Sequence, residues 1–442
     1  MKKIFTTLKN IFSIEELRVR ILHTILLLLV FRLGSFIVLP GVSSEQLAAA
    51  TQKTQKGLLG FIDTFLGGAF SKASIFALGI MPYISASIVV QLLTVAMPQF
   101  QKIQKEGESG RKKLNQITRV LTIAITMVQA IGYLTTTILP TGAVMVQNTF
   151  WFIFSSVFIL TAGTIFCMWL GEKITEKGIG NGISMLIMIG IISRFPQAIV
   201  EEFLSRSKDG LLLFVLEIIV FFFVIMLVIL LTQAVRHIPI QYAKQVVGNK
   251  VYRGRRQYIP LKLNASGVMP IIFAQSIMFF PALIPSLSAE NDFLAAVGAT
   301  FADYTSVAYN LLFAILIIVF TYIYTAITIN PKQIADDMKR SNGFIPGVKP
   351  GEPTALYIDT ILSRITFPGA LFLALIAILP AIAIRFGIVS NFSQFYGGTS
   401  LLIMVGVIVD TLQQINSYLL KRKYDGLMET GKVKGGENIV TV

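Results

Sequence analysis

Ten apolar runs, each long enough to cross a bilayer, decide what this chain can become. A hydrocarbon core about 30 Å thick needs about 20 mostly apolar residues per helix. Such segments occur at residues 21–39, 75–98, 119–139, 150–170, 182–199, 211–232, 267–287, 307–328, 365–385 and 398–418. The runs Leu26–Phe31, Leu211–Leu231 and Leu311–Tyr324 are the clearest. Only 14% of the 442 residues are charged and 54% are hydrophobic. A soluble domain carries about 25% charge, so too little is left here to clothe a water-facing surface. Backbone groups in lipid must be bonded within the segment, so the expected fold is all-α, a polytopic membrane protein of ten transmembrane helices.

The opening Met1-Lys2-Lys3 resembles the start of a signal peptide, but Lys9 interrupts the apolar stretch behind it and no small-residue cleavage site comes after. Residues 1–20 interleave apolar positions with Lys9, Glu15, Glu16, Arg18 and Arg20, and read as an amphipathic helix on the membrane surface. Orientation follows from lysine and arginine. One alternating set of connections, with both ends of the chain, holds 30 of the 38 basic residues. The other set holds Lys53, Lys56, Lys72, Arg194, Arg206, Lys208 and Arg385. Both termini are therefore expected in the cytoplasm, as an even number of spans requires.

Two connections on the basic side are long. Residues 233–266 carry seven basic side chains and no acidic one, Arg255 and Arg256 among them. Residues 329–364 contain the turn formers Asn342-Gly343, Pro346-Gly347 and Pro350-Gly351. Two readings stand: simple topology signals, or docking to a large anionic cytoplasmic partner.

An internal repeat divides the chain. Gly79-Ile80-Met81-Pro82-Tyr83-Ile84-Ser85-Ala86 opens the second span, and Gly267-Val268-Met269-Pro270-Ile271-Ile272-Phe273-Ala274 opens the seventh. The two spans hold matching places in two halves of five and cross in opposite directions, the signature of an inverted-topology repeat. The halves are residues 21–200 and 201–418, followed by a tail at 419–442. Ahead of the second span, residues 57–70 are apolar enough to enter the membrane but too short and glycine-rich to cross it. They read either as a surface helix on the outer side or as a re-entrant element filling a cavity, hinged at Gly67 and Gly68. Irregular backbone at membrane depth survives only inside protein or beside water.

Catalytic constellations are missing. With one cysteine, Cys167, and two histidines, His23 and His237, neither a disulfide framework nor a cysteine/histidine zinc site is expected. Gly426–Val433 fits G-x-x-x-x-G-K but ends in valine where a magnesium-binding hydroxyl is needed, and no strand precedes it. Gly178–Gly182 lacks dinucleotide spacing and reads as a tight loop. No metalloprotease motif or nucleophile elbow occurs. Charges within spans are few: Arg32 can snorkel or pair with a neighbouring helix, and Asp410 reads as a polar position near the cytoplasmic surface. The chain is expected to be neither an enzyme nor a cofactor binder.

Four stretches carry a family resemblance: Ile75–Ile88, Lys105–Arg111, Gly178–Ser184 and Gly397–Ile403. Together, and in this order, they resemble the SecY family, the channel subunits of the bacterial general protein translocon, and the resemblance spans essentially the whole chain. It implies a clamshell of helices 1–5 and 6–10 that opens sideways between the second and seventh. It further implies an hourglass pore closed by a ring, here Ile80, Ile84, Ile183, Ile187, Ile272 and Ile403. Residues 57–74 become a plug, with Gly60, Phe61, Ile62, Asp63, Thr64, Phe65, Leu66, Gly67 and Gly68 as its core. Ser85, Gln91, Gln129, Gln275 and Ser276 fall on the lateral-gate helices, where hydrogen bonds would zip the closed gate.

The resemblance also implies partners: a SecE-like and a SecG-like subunit, the SecA ATPase, the ribosome, precursors bearing signal sequences, and the lipids of the bacterial inner membrane. The basic connections would dock SecA or the ribosome through Arg255, Arg256 and Lys349. Lysine stands at 349 where the family pattern has arginine, which keeps the charge but loses the planar fork. The rival from another class, an ion-coupled transporter, needs a dense polar midplane, where this chain offers isoleucine. An intramembrane enzyme lacks its residues.

Overall fold

A computed structural model describes residues 12, 14–47, 63–206, 210–242, 245–247, 250–252, 256–275, 277–278 and 305–429. The principal helices are α1 (Glu15–Gly34), α2 (Met81–Ala96), α3 (Pro98–Lys105), α4 (Glu108–Tyr133), α5 (Thr149–Lys177) and α6 (Gly182–Arg206). They continue with α7 (Leu211–Gln233), α8 (Val307–Thr328), α9 (Pro331–Arg340), α10 (Glu352–Arg385), the short α11 (Ser390–Ser393) and α12 (Gly398–Glu429). Among the described residues seven helices are long and apolar enough to span a bilayer, or eight if the bent pair α2–α3 is one span. The pair bends by 98°, because Met97, forced extended by the proline after it, breaks the helix before Pro98 restarts it. The expected seventh span is helical over residues 269–275, and most of its remainder lies outside the described residues.

The helices differ from expectation at their ends. The expected surface helix and first span are not separate where the chain is described: α1 runs unbroken from Glu15. No glycine or proline falls between Glu15 and Leu33, and Arg20 pairs with Glu16 one turn away at 3.3 Å. The ninth span, expected from residue 365, begins as α10 at Glu352, with proline in its first turn.

The chain is mostly helical, as expected, but it also holds strands that an all-α reading leaves out. Strand β1 (Val235–Tyr242) lies between β4 (Arg256–Lys262) and β5 (Gly343–Phe344), antiparallel to both. Strands β2 (Gln245–Val247) and β3 (Lys250–Tyr252) pair beyond it. Alternation explains the strand: Ile238 and Ile240 turn inward while Pro239 turns out. They join Leu261, Met338, Ile345, Ile358 and Leu362 in a separate apolar cluster. The two long basic connections are thus one folded unit with its own core. Ile358 is 1% exposed, so Ile358→Ala should lower this unit's stability by about 2–5 kcal/mol. Limited proteolysis across residues 343–351 should then cut markedly faster, while cleavage elsewhere stays as it was.

In the membrane region α2 packs along α4, α4 along α5 and α5 along α6, and α8 packs along α10. Helix α6 is the seam, because it also packs against α7, α11 and α12 of the second half. Face selection follows small residues. Helix α4 buries Gly110, Thr118, Thr122, Thr126 and Ala130, and each of the three threonines returns its hydroxyl to the carbonyl four residues back. Polar side chains thereby enter the bundle without an unpaired donor.

Candidate pore and plug

The repeat read from the sequence recurs in the backbone. Gly79 and Gly267 take left-handed φ of +51° and +64°, a conformation glycine adopts without penalty. A helix begins two residues later each time, at Met81 and at residue 269, with proline as its second residue. The amide of Ile84 donates to the Ile80 carbonyl at 3.1 Å, as that of Ile272 does to Val268 at 3.4 Å. Ile80 is therefore the residue just ahead of the helix, one turn from Ile84 and on the same face.

All six ring isoleucines lie in one apolar cluster. Ile80, Ile84, Ile187 and Ile403 are buried in it, and Ile183 and Ile272 pack against it half-buried. Close backbone approach brings them together. A Cβ on Gly171 of α5 would lie 3.2 Å from Ile183 Cγ1 and 3.5 Å from Ile80 Cδ1. A Cβ on Gly406 of α12 would lie 3.1 Å from Val268, one turn before Ile272.

Of the expected plug, Gly60, Phe61 and Ile62 lie outside the described residues, and Asp63 to Gly68 are described. Residues 63–65 are helical and tight turns follow them. Of the segment's described residues, Asp63, Thr64, Phe65, Leu66 and Ala69 are all buried. Phe65 and Leu66 border a small cavity whose other walls include Ile80, Met81, Leu186 and Ile187. Gly67 and Gly68 take φ of +62° and +88°. Space as well as torsion demands glycine here, for a Cβ on Gly67 would lie 2.9 Å from the Cα of Gly190.

Polar anchors hold the segment down. Asp63 is ion-paired with Arg194 of α6 and accepts from the Ser71 amide at 2.8 Å. Arg32 of α1 donates to the Gly67 carbonyl at 3.0 Å, and Tyr133 of α4 to the Phe70 carbonyl at 2.7 Å. Thr64 donates to Gln394 Oε1 at 2.5 Å. Lys72 sits 4.1 Å from the centre of the Phe36 ring, over which Arg32 also lies. Burial first, then the charges of Arg194 and Arg32, hold the Lys72 ammonium below its usual range, with Asp63 opposing them. Arg194, Gln394 and Tyr133 are not legible in the sequence as partners of this segment. The one available signal is Asp63 itself, a carboxylate in an apolar segment that needs a buried partner.

The gate residues are placed but not zipped together by any described bond. Ser85 and Gln129 are half-buried, and Gln91 donates to Ser87 of its own helix at 3.3 Å. Oε1 of Gln275 is buried without a hydrogen-bond partner among the described residues, and Ser276 lies outside them. Of the expected docking residues, Arg255 lies outside them too, Arg256 opens β4 opposite Gln241, and Lys349 is exposed between two turns. Asp410 is exposed on α12, and Arg32 turns inward to the Gly67 carbonyl.

The SecY family model matches residues 74–412. The chain belongs to the SecY family. Protein translocase subunit SecY of Halalkalibacterium halodurans is 43% identical over 439 residues, covering 96% of this chain and 100% of that one. Among solved structures, one described as a protein-conducting channel superposes with a TM-score of 0.62 at 17% identity, covering 95% of each chain. Sec61 in the canine ribosome–channel complex from the endoplasmic reticulum superposes with a TM-score of 0.57, also at 17% identity and 95% of each chain. The shared fold covers nearly the whole chain.

Proposed function

We propose that this chain is the pore subunit of a protein translocon, passing unfolded secretory polypeptides across the bacterial inner membrane and releasing apolar segments sideways into lipid. One observation carries the reading: buried Phe65 and Leu66 border the same cavity as Ile80 and Ile187, within an apolar cluster that also draws Ile271, Ile403 and other residues from the second half. An apolar constriction excludes water and ions by dewetting when idle. A ring of Ile80, Ile84, Ile183, Ile187, Ile272 and Ile403 can yield around a passing chain, because aliphatic side chains have no fixed bonds to break. Residues 57–74 would be the plug that backs it.

The excess of lysine and arginine in the alternate connections favours a cytoplasmic position for both termini and the strand unit. The unit's Arg255, Arg256 and Lys349 would meet the SecA motor or the ribosome, whose acidic surface or RNA suits them. A SecE-like subunit would clamp the halves, and a SecG-like subunit would stand beside them. Ser85, Gln91, Gln129, Gln275 and Ser276 would line the gate, where any hydrogen bond formed between them would be worth about 0.6–2 kcal/mol, weak enough for an apolar signal sequence to displace.

The test is protease protection of an unfolded secretory precursor. Vesicles would hold this protein with its SecE-like partner, supplied with SecA and ATP. Protection requiring both ATP and an intact signal sequence is expected. Absence of protection with correctly inserted protein and active SecA would overturn the reading and direct attention to solute uptake under an ion gradient. Docking has its own check. Lys349→Glu should weaken SecA or ribosome binding to such vesicles several-fold at low salt, the difference shrinking as salt screens it; unchanged binding would remove Lys349 from the contact.

A further inference from the structure

The seated segment touches both halves of the clamshell, and the contact to the second half leads to the seam. Arg32, Tyr133 and Arg194, its partners on α1, α4 and α6, belong to the first half. Gln394 belongs to the second, on the connection between α10 and α12, and is 2% exposed. The same connection is bonded into a polar knot where α6 gives way to α7. The Val389 amide donates to Glu202 Oε2 at 2.8 Å, and Asn391 donates to Glu201 at 2.6 Å. Tyr396 donates its hydroxyl to the Glu217 carbonyl at 2.5 Å. Arg206 closes the knot, reaching Glu202 at 3.1 Å, Glu217 at 2.8 Å and the Gly387 carbonyl at 2.8 Å. Between knot and plug, Phe195 of α6 meets Phe395 across the halves at 5.1 Å, and Phe221 of α7 meets Tyr396 within the second half at 5.6 Å.

We propose that residues 387–396 couple the seam to the plug, with Gln394 the positioning residue through which any movement of the halves about α6 and α7 is felt at Thr64. The physical ground is stiffness. Phe392, Ser393, Gln394, Phe395 and Tyr396 are all buried, and such a packed segment moves as a piece rather than bending. Swinging the second half away at the knot carries Gln394 with it and breaks its bond to Thr64. The bonds to Arg32, Arg194 and Tyr133 lie on the first half and keep their geometry. The plug therefore loosens first at Thr64, on the side facing the second half. This deepens the reading of the chain as a plugged channel and rests on it.

The experiment reads the ion conductance of idle channels, reconstituted with the SecE-like partner, in Thr64→Val, Tyr396→Phe and the double variant. Thr64→Val deletes the plug's bond while keeping its shape, and Tyr396→Phe deletes one bond of the knot while keeping the ring. Each should raise idle conductance about 2- to 12-fold, the range expected when one hydrogen bond is lost. If the two sites are coupled, the double variant should show about the larger single effect rather than the product. Arg206→Lys, which keeps the charge and loses the fork, repeats the comparison should Tyr396→Phe fold poorly. Unchanged conductance in Thr64→Val, an effect in Thr64→Val without one in either knot variant, or a plainly multiplicative double would each overturn the coupling. Failure of the unmodified protein to protect a precursor would overturn the channel reading instead, so the two failures are told apart.

Discussion

Ile403→Asn should turn the idle pore into an ion leak and admit precursors whose signal sequences are defective. Ile403 is 2% exposed inside the apolar cluster that also holds Ile80, Ile84 and Ile187. An asparagine there must either stay unpaired, a penalty of about 1–3 kcal/mol in proteins, or draw in water. Water in the constriction is the state that dewetting otherwise prevents. A closed state weakened by that amount opens on the order of tenfold more often. Planar-bilayer conductance measures the leak, and export of a reporter with a shortened apolar signal measures stringency. If both match the unmodified protein, Ile403 does not belong to the constriction.

The second large effect is expected from the smallest possible change. Gly190→Ala adds one methyl to α6, in a helix where alanine is ordinarily better than glycine by about 0.5–1 kcal/mol. Here that methyl would lie 2.4 Å from the Phe65 carbonyl oxygen and 3.3 Å from the Gly67 amide nitrogen, both backbone. Neither atom can swing aside as a side-chain tip would, so the seated segment must lift. The variant should leak at rest, and Asp63 should become accessible to solvent. Gly132→Ala is the matched control, since a Cβ there meets nothing within 4 Å. A sealed Gly190→Ala channel, with Gly132→Ala equally sealed, would mean that the segment does not close the pore.

How much the sequence discloses depends on the range of each interaction. The spans are local sums of apolar residues, and the glycine–x–methionine–proline repeat is a local backbone instruction that Gly79 and Gly267 obey in the same way. The ring isoleucines are selected by resemblance, and their gathering into one cluster needs close passage at Gly171 and Gly406, which nothing in the local sequence announces. Contacts of the seated segment are least legible. Asp63 meets Arg194 across 131 positions and Thr64 meets Gln394 across 330. By charge alone Arg194 falls among the basic residues of a connection, because counting sees number and not partner. The strands escape for another reason: Ile238 and Ile240 alternate with polar residues and Pro239, a period-2 signal too short to stand out in a basic connection.

The strand unit also has a timetable. Strand β1 ends at Tyr242 and its second neighbour, β5, begins at Gly343. During synthesis β1 and β4 can therefore pair early, while Ile238 and Ile240 wait for Met338, Ile345 and Ile358 to cover them. Non-local pairing of this kind is slow, because the intervening loop must close first. Two apolar segments, at residues 267–287 and 307–328, are made in that interval. A half-made copy thus carries an unfinished strand unit, whose core closes only after residues up to Ile358 have been made.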